Sequence, residues 1–278
     1  MLNTETLKQS ILSTFIGKLA NNLRNFYDVF SIFFKNPESI GTIINDQMAT
    51  FLITKLCKSD KVFLDIGSHI GSVISDVLDY DTRVTVIGVE PIPAKAKKLQ
   101  SKFPSVKIYN CALGELEKEV LFYINTIKSG YSSLGQSLDN DNKNLVEIKV
   151  KLTTLDNIIS SELIDVIKID VEGAELGVLI GGKRVIMDNR PIIMFESGPQ
   201  KNDGLGYTKE DLFNFFINLD YQLIIPNRMA HDGSSLSLEG FIESHFYPRR
   251  TTNYFAVPTE RRKYFRDLCR NILKINSL

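Results

Sequence analysis

The chain has 278 residues, 43% of them hydrophobic and 24% charged, with 33 basic side chains matched by 33 acidic ones. That length and apolar content suit one large α/β domain with additions, with a core of ordinary size. The balanced charge leaves no global field to gather nucleic acid or an anionic membrane, so no nucleic-acid partner is expected.

Three cysteines, Cys57, Cys111 and Cys269, are widely spaced and form no C-x-x-C. They argue against a disulfide framework or a zinc site and for a reducing, cytoplasmic compartment. The N-terminus lacks the basic start and compact apolar core of a secretory signal. No apolar run approaches the ~18 residues a transmembrane helix needs.

From Thr4 to Phe34 apolar residues recur at helical spacing: Leu7, Ile11, Leu12, Phe15, Ile16, Leu19, Leu23, Phe26, Tyr27 and Phe30. Residues 1–44 are therefore expected to form a helical extension packed on the domain or on a second subunit, as in a homodimer. A lid over the acceptor site and a peripheral, membrane-surface helix are the alternatives. Pro37 breaks this helix, and a second is expected over Asn45–Leu56.

The stretch from Lys61 to Pro91 organises the rest. Val62, Phe63 and Leu64 read as a buried parallel strand ending at Asp65. Gly67 and Gly71 bracket a tight loop through Ser68 and His69, and Ser72 is the expected N-cap of a helix over Val73–Leu78. A second apolar strand, Val84–Val89, ends in Glu90-Pro91. This is the first half of a nucleotide-binding unit, with a carboxylate about 20 residues on to bind ribose hydroxyls. Histidine replaces the second glycine of the dinucleotide pattern G-x-G-x-x-G. An acid before the first glycine repels a pyrophosphate but suits an ammonium group, the charge pattern of S-adenosylmethionine.

Further on, Lys95–Lys102 reads as a solvated helix face and Val106–Tyr109 as a third strand. It ends at Asn110-Cys111-Ala112, which reads either as the place beside the adenine end of a bound nucleotide or as a plain turn. Glu119–Ile124 and Leu145–Leu152 alternate like paired antiparallel strands. The polar, glycine-containing loop between them reads as mobile. A short helix capped near Thr154 precedes the fourth parallel strand, Ile164–Ile169, and another runs to Ile180. Pro191–Phe195 is the fifth strand. Thr208 with Asp211 marks a capping box for a helix to Asn218. Tyr221–Ile225 and Tyr254–Val257 close the sheet. The segment from Asn227 to Asn253 is too long for a hairpin turn and reads as functional or partly disordered. A C-terminal helix over Arg261–Ile275 places Tyr264, Phe265, Leu268, Ile272 and Ile275 on one side. The domain thus spans 45–260, with 261–278 packed on it.

Five strands in turn end in Asp65, Glu90, Asn110, Asp170 and Glu196, which gathers them on the rim where open parallel sheets bind ligands. Methyl transfer to an alcohol needs an in-line acceptor and a base or a metal ion. Asp170, Glu172, Glu175 and Glu196 are candidates for base, metal ligand or acceptor clamp. Asp170 and Glu196 are the first candidates for a divalent metal. Lys168, inside a buried strand, either pairs with a neighbouring acid or snorkels to the edge. His231 and His245 are possible bases, and Arg249-Arg250 beside Tyr247 can grip an anionic or sugar-bearing acceptor.

These residues resemble the FkbM family of S-adenosylmethionine-dependent methyltransferases over roughly Lys61–Pro199. The resemblance rests on V-F-L-D-I-G-S-H-I-G-S-V, V-E-P, C-A-L-G, S-G-Y-S-S-L, T-L-D, I-K-I-D-V-E-G-A-E and I-I-M-F-E. It implies a Rossmann-like class I fold with a mostly parallel seven-stranded sheet, to which the apolar spacing adds an N-terminal helical extension and the alternating strands an inserted β-hairpin. It implies that Asp65, Gly67, Gly71 and Glu90 bind the cofactor and that Asp170, Glu172 and Glu196 face the transfer site. Ser68, His69, Pro91, Cys111, Ala112 and Asp170 complete the expected cofactor site. The implied acceptors are hydroxyl groups of sugars, glycans, glycolipids or polyketide-type metabolites. The alternatives are an N-methyltransferase on protein or nucleic acid, a nicotinamide dehydrogenase, or a non-catalytic nucleotide-binding protein. Asp170-Val171-Glu172-Gly173 stands where amino-methylating nucleic-acid enzymes carry D/N-P-P-Y/F.

Overall fold

The computed structural model describes residues 29–125, 132–134, 145–198 and 205–275. Most of the apolar N-terminal stripe and of the loop between the hairpin strands lies outside them. Residues 29–35 are helical and the helix stops before Pro37, which opens a 3-10 turn over Pro37–Ser39. The next helix, α1, starts at Ile40 rather than Asn45 and runs to Leu56, because no breaker stands between the turn and Asn45.

Seven strands form the main sheet. In chain order they are β1 (Val62–Ile66), β2 (Thr85–Val89), β3 (Lys107–Tyr109), β7 (Val166–Ile169), β8 (Ile192–Glu196), β9 (Tyr221–Ile224) and β10 (Asn253–Pro258). Their spatial order is β3-β2-β1-β7-β8-β10-β9, with β10 antiparallel to both of its neighbours. The central strands are apolar except at Asp65, Lys168 and the terminal Glu196 because helices cover both faces of the sheet. Alternation divides their side chains between two cores. Leu64 and Ile66 pack with Ile167, Ile169 and Phe195, whereas Phe63 packs with Val86, Val166 and Met194 on the opposite face.

The chain winds outward from β1 to β3 and then returns to β7 on the other side of β1. The switch in strand order therefore lies between β1 and β7, where a crevice opens above the strand ends. A smaller sheet, β4 (Ala112–Leu113), β6 (Leu145–Thr153) and β5 (Lys118–Asn125), stands over that crevice. β5 and β6 are the expected antiparallel hairpin. It is held by a separate cluster of Ile92, Ala112, Phe122, Val150 and Leu152.

Helices α2 (Ser72–Tyr80) and α3 (Pro93–Lys102) follow β1 and β2, and α4 (Leu155–Ile158) is capped by Thr154, whose side chain accepts from Asn157 N. The helix after β7 is two: α5 (Glu175–Gly181) and an unforeseen α6 (Lys183–Asn189), separated at the Gly181-Gly182 pair. Packing leaves no room for side chains there. A Cβ on Gly181 would lie 2.0 Å from the carbonyl oxygen of Gly114. Helix α7 (Lys209–Ile217) carries the expected capping box between Thr208 and Asp211.

Two expectations need correction. Ser72 does not cap α2. Gly71 does, in the left-handed conformation at φ 75°, which places Ser72 inside the first turn. Tyr264 is not on the buried side of the last helix, α9 (Arg262–Leu273). It is 50% exposed, and Phe265 with Cys269 forms the buried stripe.

Between β9 and β10 the chain is ordered throughout residues 225–253 and includes α8 (Leu238–Glu243). Arginines of α9 supply its order, since Arg262 donates to the carbonyls of Met229 and His231 and Arg270 to that of Ala230. On the other side Asp46 of α1 accepts from Thr251, Thr252 and Asn253. Such buried backbone groups need partners, and charged side chains satisfy them here.

Candidate active site

The turn after β1 sets the geometry of the crevice. Backbone amides of Gly67 and Ser68 both donate to the carbonyl of Val89, at 3.0 Å each, which ties the turn to the end of β2. Gly67 has φ 82°, and a Cβ there would lie 1.8 Å from the carbonyl oxygen of Asp170 at the end of β7. Glycine is thus required both by the left-handed backbone and by the approach of the two strand ends.

Glu90, 4% exposed, is held at both oxygens: Oε2 accepts from His69 N at 2.9 Å and Oε1 from Ile92 N at 3.0 Å. Each carboxylate oxygen retains a second lone pair for a ligand. Burial raises its pKa above the usual carboxyl value. Asn110 bonds the carbonyls of Glu90 and Pro91 at 2.9 and 3.0 Å, so it holds the strand end rather than facing a ligand.

A cavity of ≈ 820 Å³, counting its open mouth, runs along this rim. It is lined by Gly67, His69, Glu90, Pro91, Cys111 and Ala112 together with Asp170, Glu172 and Glu196. Ile92, Phe122 and Leu134 add apolar walls that sequence reasoning missed. Phe122 and Leu134 come from the hairpin and its loop, and only the alternating pattern of β5 hinted that one of its faces covers the crevice.

Other expected site residues lie off this wall. Asp65 is 1% exposed beneath the glycine turn, where Lys168 Nζ approaches Oδ1 to 3.2 Å. Ser68 Oγ donates to the carbonyl of Asp65 at 2.8 Å, and Gly71 keeps room for Leu99 and Phe103. His245 is buried between the carbonyl of Phe241 and Ser197 Oγ, and burial pushes its pKa down to about 4. Arg250 pairs with Glu243 at 3.1 Å, and neither it, Arg249 nor His231 lines the cavity. Glu175 is buried, with its Oε1 accepting from the amides of Val171 and Gly173, and shapes the turn that presents Glu172.

The acids form a coupled cluster. Asp170, Glu172 and Glu196 each bring a carboxylate oxygen within 4.8 Å of the others. Lys168 Nζ stands 3.3 Å from Asp170 Oδ2. Burial would raise Asp170, but Lys168 and a hydrogen bond from Glu196 hold it below the usual range. Burial and the charge of Asp170 push Glu196 up to about 10, so it is the protonated partner of the pair. Burial and Asp170 raise Glu172 to about 7, and burial likewise raises Glu175 to about 7.

These shifts set a pH dependence. Glu172, Glu175 and Glu196 bind protons more tightly folded than unfolded, where carboxyls titrate near ~4.3. Their penalty is absent below that value and grows as pH rises, up to about 7 for the first two and about 10 for Glu196. Thermal unfolding is therefore expected to occur several degrees lower at pH 8 than at pH 5. Glu196→Gln should flatten the dependence, and an unchanged slope in that variant would contradict the assignment.

A doubly wound sheet with one reversed strand, a glycine turn at the switch point and carboxylates along the rim defines a Rossmann-like class I methyltransferase fold. A family model described as the methyltransferase FkbM domain matches residues 65–223, and the chain belongs to that family.

Similar solved structures include methyltransferase FkbM from Methylobacillus flagellatus KT, 19% identical over 72% of this chain and 44% of that one, with a TM-score of 0.45. This chain therefore spans less than half the length of that protein. A TehB-like SAM-dependent methyltransferase from Corynebacterium glutamicum is 12% identical over 75% and 85% of the two chains, with a TM-score of 0.38. Aeropyrum pernix fibrillarin with bound S-adenosyl-L-methionine is 13% identical over 72% and 68%, with a TM-score of 0.37. A search of curated proteins gives no match. No helix among the described residues is long and apolar enough to cross a membrane.

Proposed function

We propose that the chain is an S-adenosylmethionine-dependent O-methyltransferase acting on a hydroxyl of a sugar, glycan or similar metabolite. The observation that carries this is the single cavity lined by both Glu90 and the acid cluster. A nucleoside with a sulfonium tail needs that layout: a carboxylate for the ribose, small apolar walls for the base, and a charged region for the reaction. Bound there, the cofactor supplies a methyl group already activated as an electrophile.

The residues of this chain divide the remaining work. Glu90 takes the ribose hydroxyls, and Pro91, Cys111 and Ala112 flank the adenine with Ile92 and Phe122. Gly67 and His69 bound the amino-acid end. Glu172, poised near neutral pH, is the base that accepts the acceptor's hydroxyl proton. Asp170 and the protonated Glu196 orient that hydroxyl by hydrogen bonds. Held so, that oxygen would take the cofactor's methyl group, with S-adenosylhomocysteine as the departing product and the hydroxyl proton left on Glu172. The all-oxygen donor set of Asp170, Glu172 and Glu196 also suits a hard divalent cation, whose charge would favour the ionised hydroxyl.

Isothermal titration of the protein with S-adenosylmethionine tests the reading. Glu90→Gln replaces a charged acceptor with an amide that points a donor at the amides of His69 or Ile92. The loss of a charge-assisted hydrogen bond predicts binding weaker by about 10–100-fold. No heat with the intact protein would refute the cofactor assignment, and full affinity in the variant would refute the role of Glu90.

A further inference from the structure

A second and larger cavity, ≈ 1160 Å³ by the same measure, lies against the first and has no part in the layout described so far. The two share Leu113 and Leu134 as walls. Strand β5 divides them, since Phe122 lines the first cavity while its chain neighbours Leu121 and Tyr123 line the second. Successive residues of a strand face opposite ways, so one hairpin serves both. Ala174 lines the second cavity and stands two residues beyond Glu172, a wall residue of the first.

The lining is mixed in a specific way. Leu121 is 44% exposed and Leu116 48%, giving apolar surface within reach of Tyr123 and Tyr207. The Tyr207 hydroxyl donates to Glu115, and a second carboxylate, Glu119, shares the wall. Lys118 is the cation among the lining residues of this cavity, as Lys95 is of the first. Along both cavities six carboxyl side chains, Glu90, Glu115, Glu119, Asp170, Glu172 and Glu196, stand against two lysines, and the negative excess remains with Glu196 protonated. Aromatic rings and leucines beside carboxylate acceptors suit a molecule with hydroxyl donors and an apolar face, and the excess negative charge disfavours an anion.

We propose that this cavity holds the non-reacting part of the methyl acceptor, and that the acceptor is a neutral or cationic hydroxylated molecule rather than an acidic one. The inference rests on the first cavity being the methyl-transfer site, and it adds where the acceptor lies and which charge it carries. Sugars bearing carboxylate or phosphate groups are excluded by it, whereas neutral glycosides, amino sugars and uncharged polyketide-type alcohols fit.

The test uses the full chain saturated with S-adenosylhomocysteine and two probes, 4-nitrophenyl β-glucoside and 4-nitrophenyl β-glucuronide, which differ by one carboxylate. Ligand-observed NMR titration should show the glucoside bound and the glucuronide weaker by about tenfold. Glu119→Gln should narrow that gap. Leu121→Trp, at a half-exposed site that tolerates bulk, should weaken the glucoside by about tenfold while S-adenosylhomocysteine affinity stays unchanged. Equal or tighter binding of the glucuronide, indifference to Leu121→Trp, or no binding of either glycoside would overturn the proposal. Failure of S-adenosylhomocysteine itself to bind would instead bring down the reading of the first cavity, and this one with it.

Discussion

Lys168→Met is expected to destabilise the protein by about 3–5 kcal/mol and to abolish cofactor binding, although methionine fills nearly the same volume. The lysine side chain is 9% exposed and lies between Asp65 Oδ1 at 3.2 Å and Asp170 Oδ2 at 3.3 Å. It also donates to the carbonyl of Gly67 at 3.4 Å. Burial alone would lower the lysine pKa, but the two carboxylates raise it, so the ammonium is kept. Among the described residues no well-aligned hydrogen bond reaches Asp65 Oδ1, and the ammonium charge is its compensation. Without it, Asp65 is buried and unpaired. It can then stay charged only at high cost, and otherwise it takes up a proton, which burial already favours.

The same change releases Asp170. Its carboxyl is held low by Lys168, and its charge adds to the burial that keeps Glu196 neutral. Chemical denaturation measures the stability loss and titration calorimetry the binding loss. A midpoint shift worth under ~1 kcal/mol would show that the triad is not the compensated buried network inferred from its distances.

Gly67→Ala should be nearly as damaging, at about 2–5 kcal/mol, with cofactor affinity lost in parallel. Two costs add. An alanine at φ 82° is in the left-handed region that L residues rarely adopt. Its methyl would also sit 1.8 Å from a backbone carbonyl, that of Asp170, which cannot rotate away as a side chain could. Relief requires the ends of β1 and β7 to part, and that widens the crevice and pulls the Gly67 and Ser68 amides off the carbonyl of Val89. By contrast Gly41 and Gly233 have open space where a Cβ would stand. Alanine there should leave the denaturation midpoint within about 0.5 kcal/mol, which makes them controls. Wild-type stability in Gly67→Ala would mean that the strand ends do not approach as closely as described.

Much of this molecule is legible without coordinates because its signals are local. Apolar runs such as Val62–Leu64 and Ile192–Phe195 specify buried parallel strands, and the alternation in β5 and β6 specifies a hairpin with one covered face. Thr208 with Asp211 marks a helix start, and the glycine turn and Glu90 mark the cavity at the strand ends. In each case the residues that decide the outcome lie within a turn or a strand of one another, where sterics and hydrogen bonding act on neighbours.

Which acid meets which partner could not be read in that way. Asp65 and Glu90 both end a strand next to the glycine turn, yet Glu90 lines the cavity while Asp65 turns under it to Lys168. That outcome depends on β7 lying beside β1, a pairing between residues about a hundred positions apart in the chain. The ordering of residues 225–253 likewise needs the arginines of α9, and the division between the two cavities needs the hairpin seated over the rim. The chain by itself determined its strands, its turn and the set of acids available. The fold alone decided which charges are neutralised in the interior and which remain to face a ligand, because desolvation and Coulomb energies depend on distances through space.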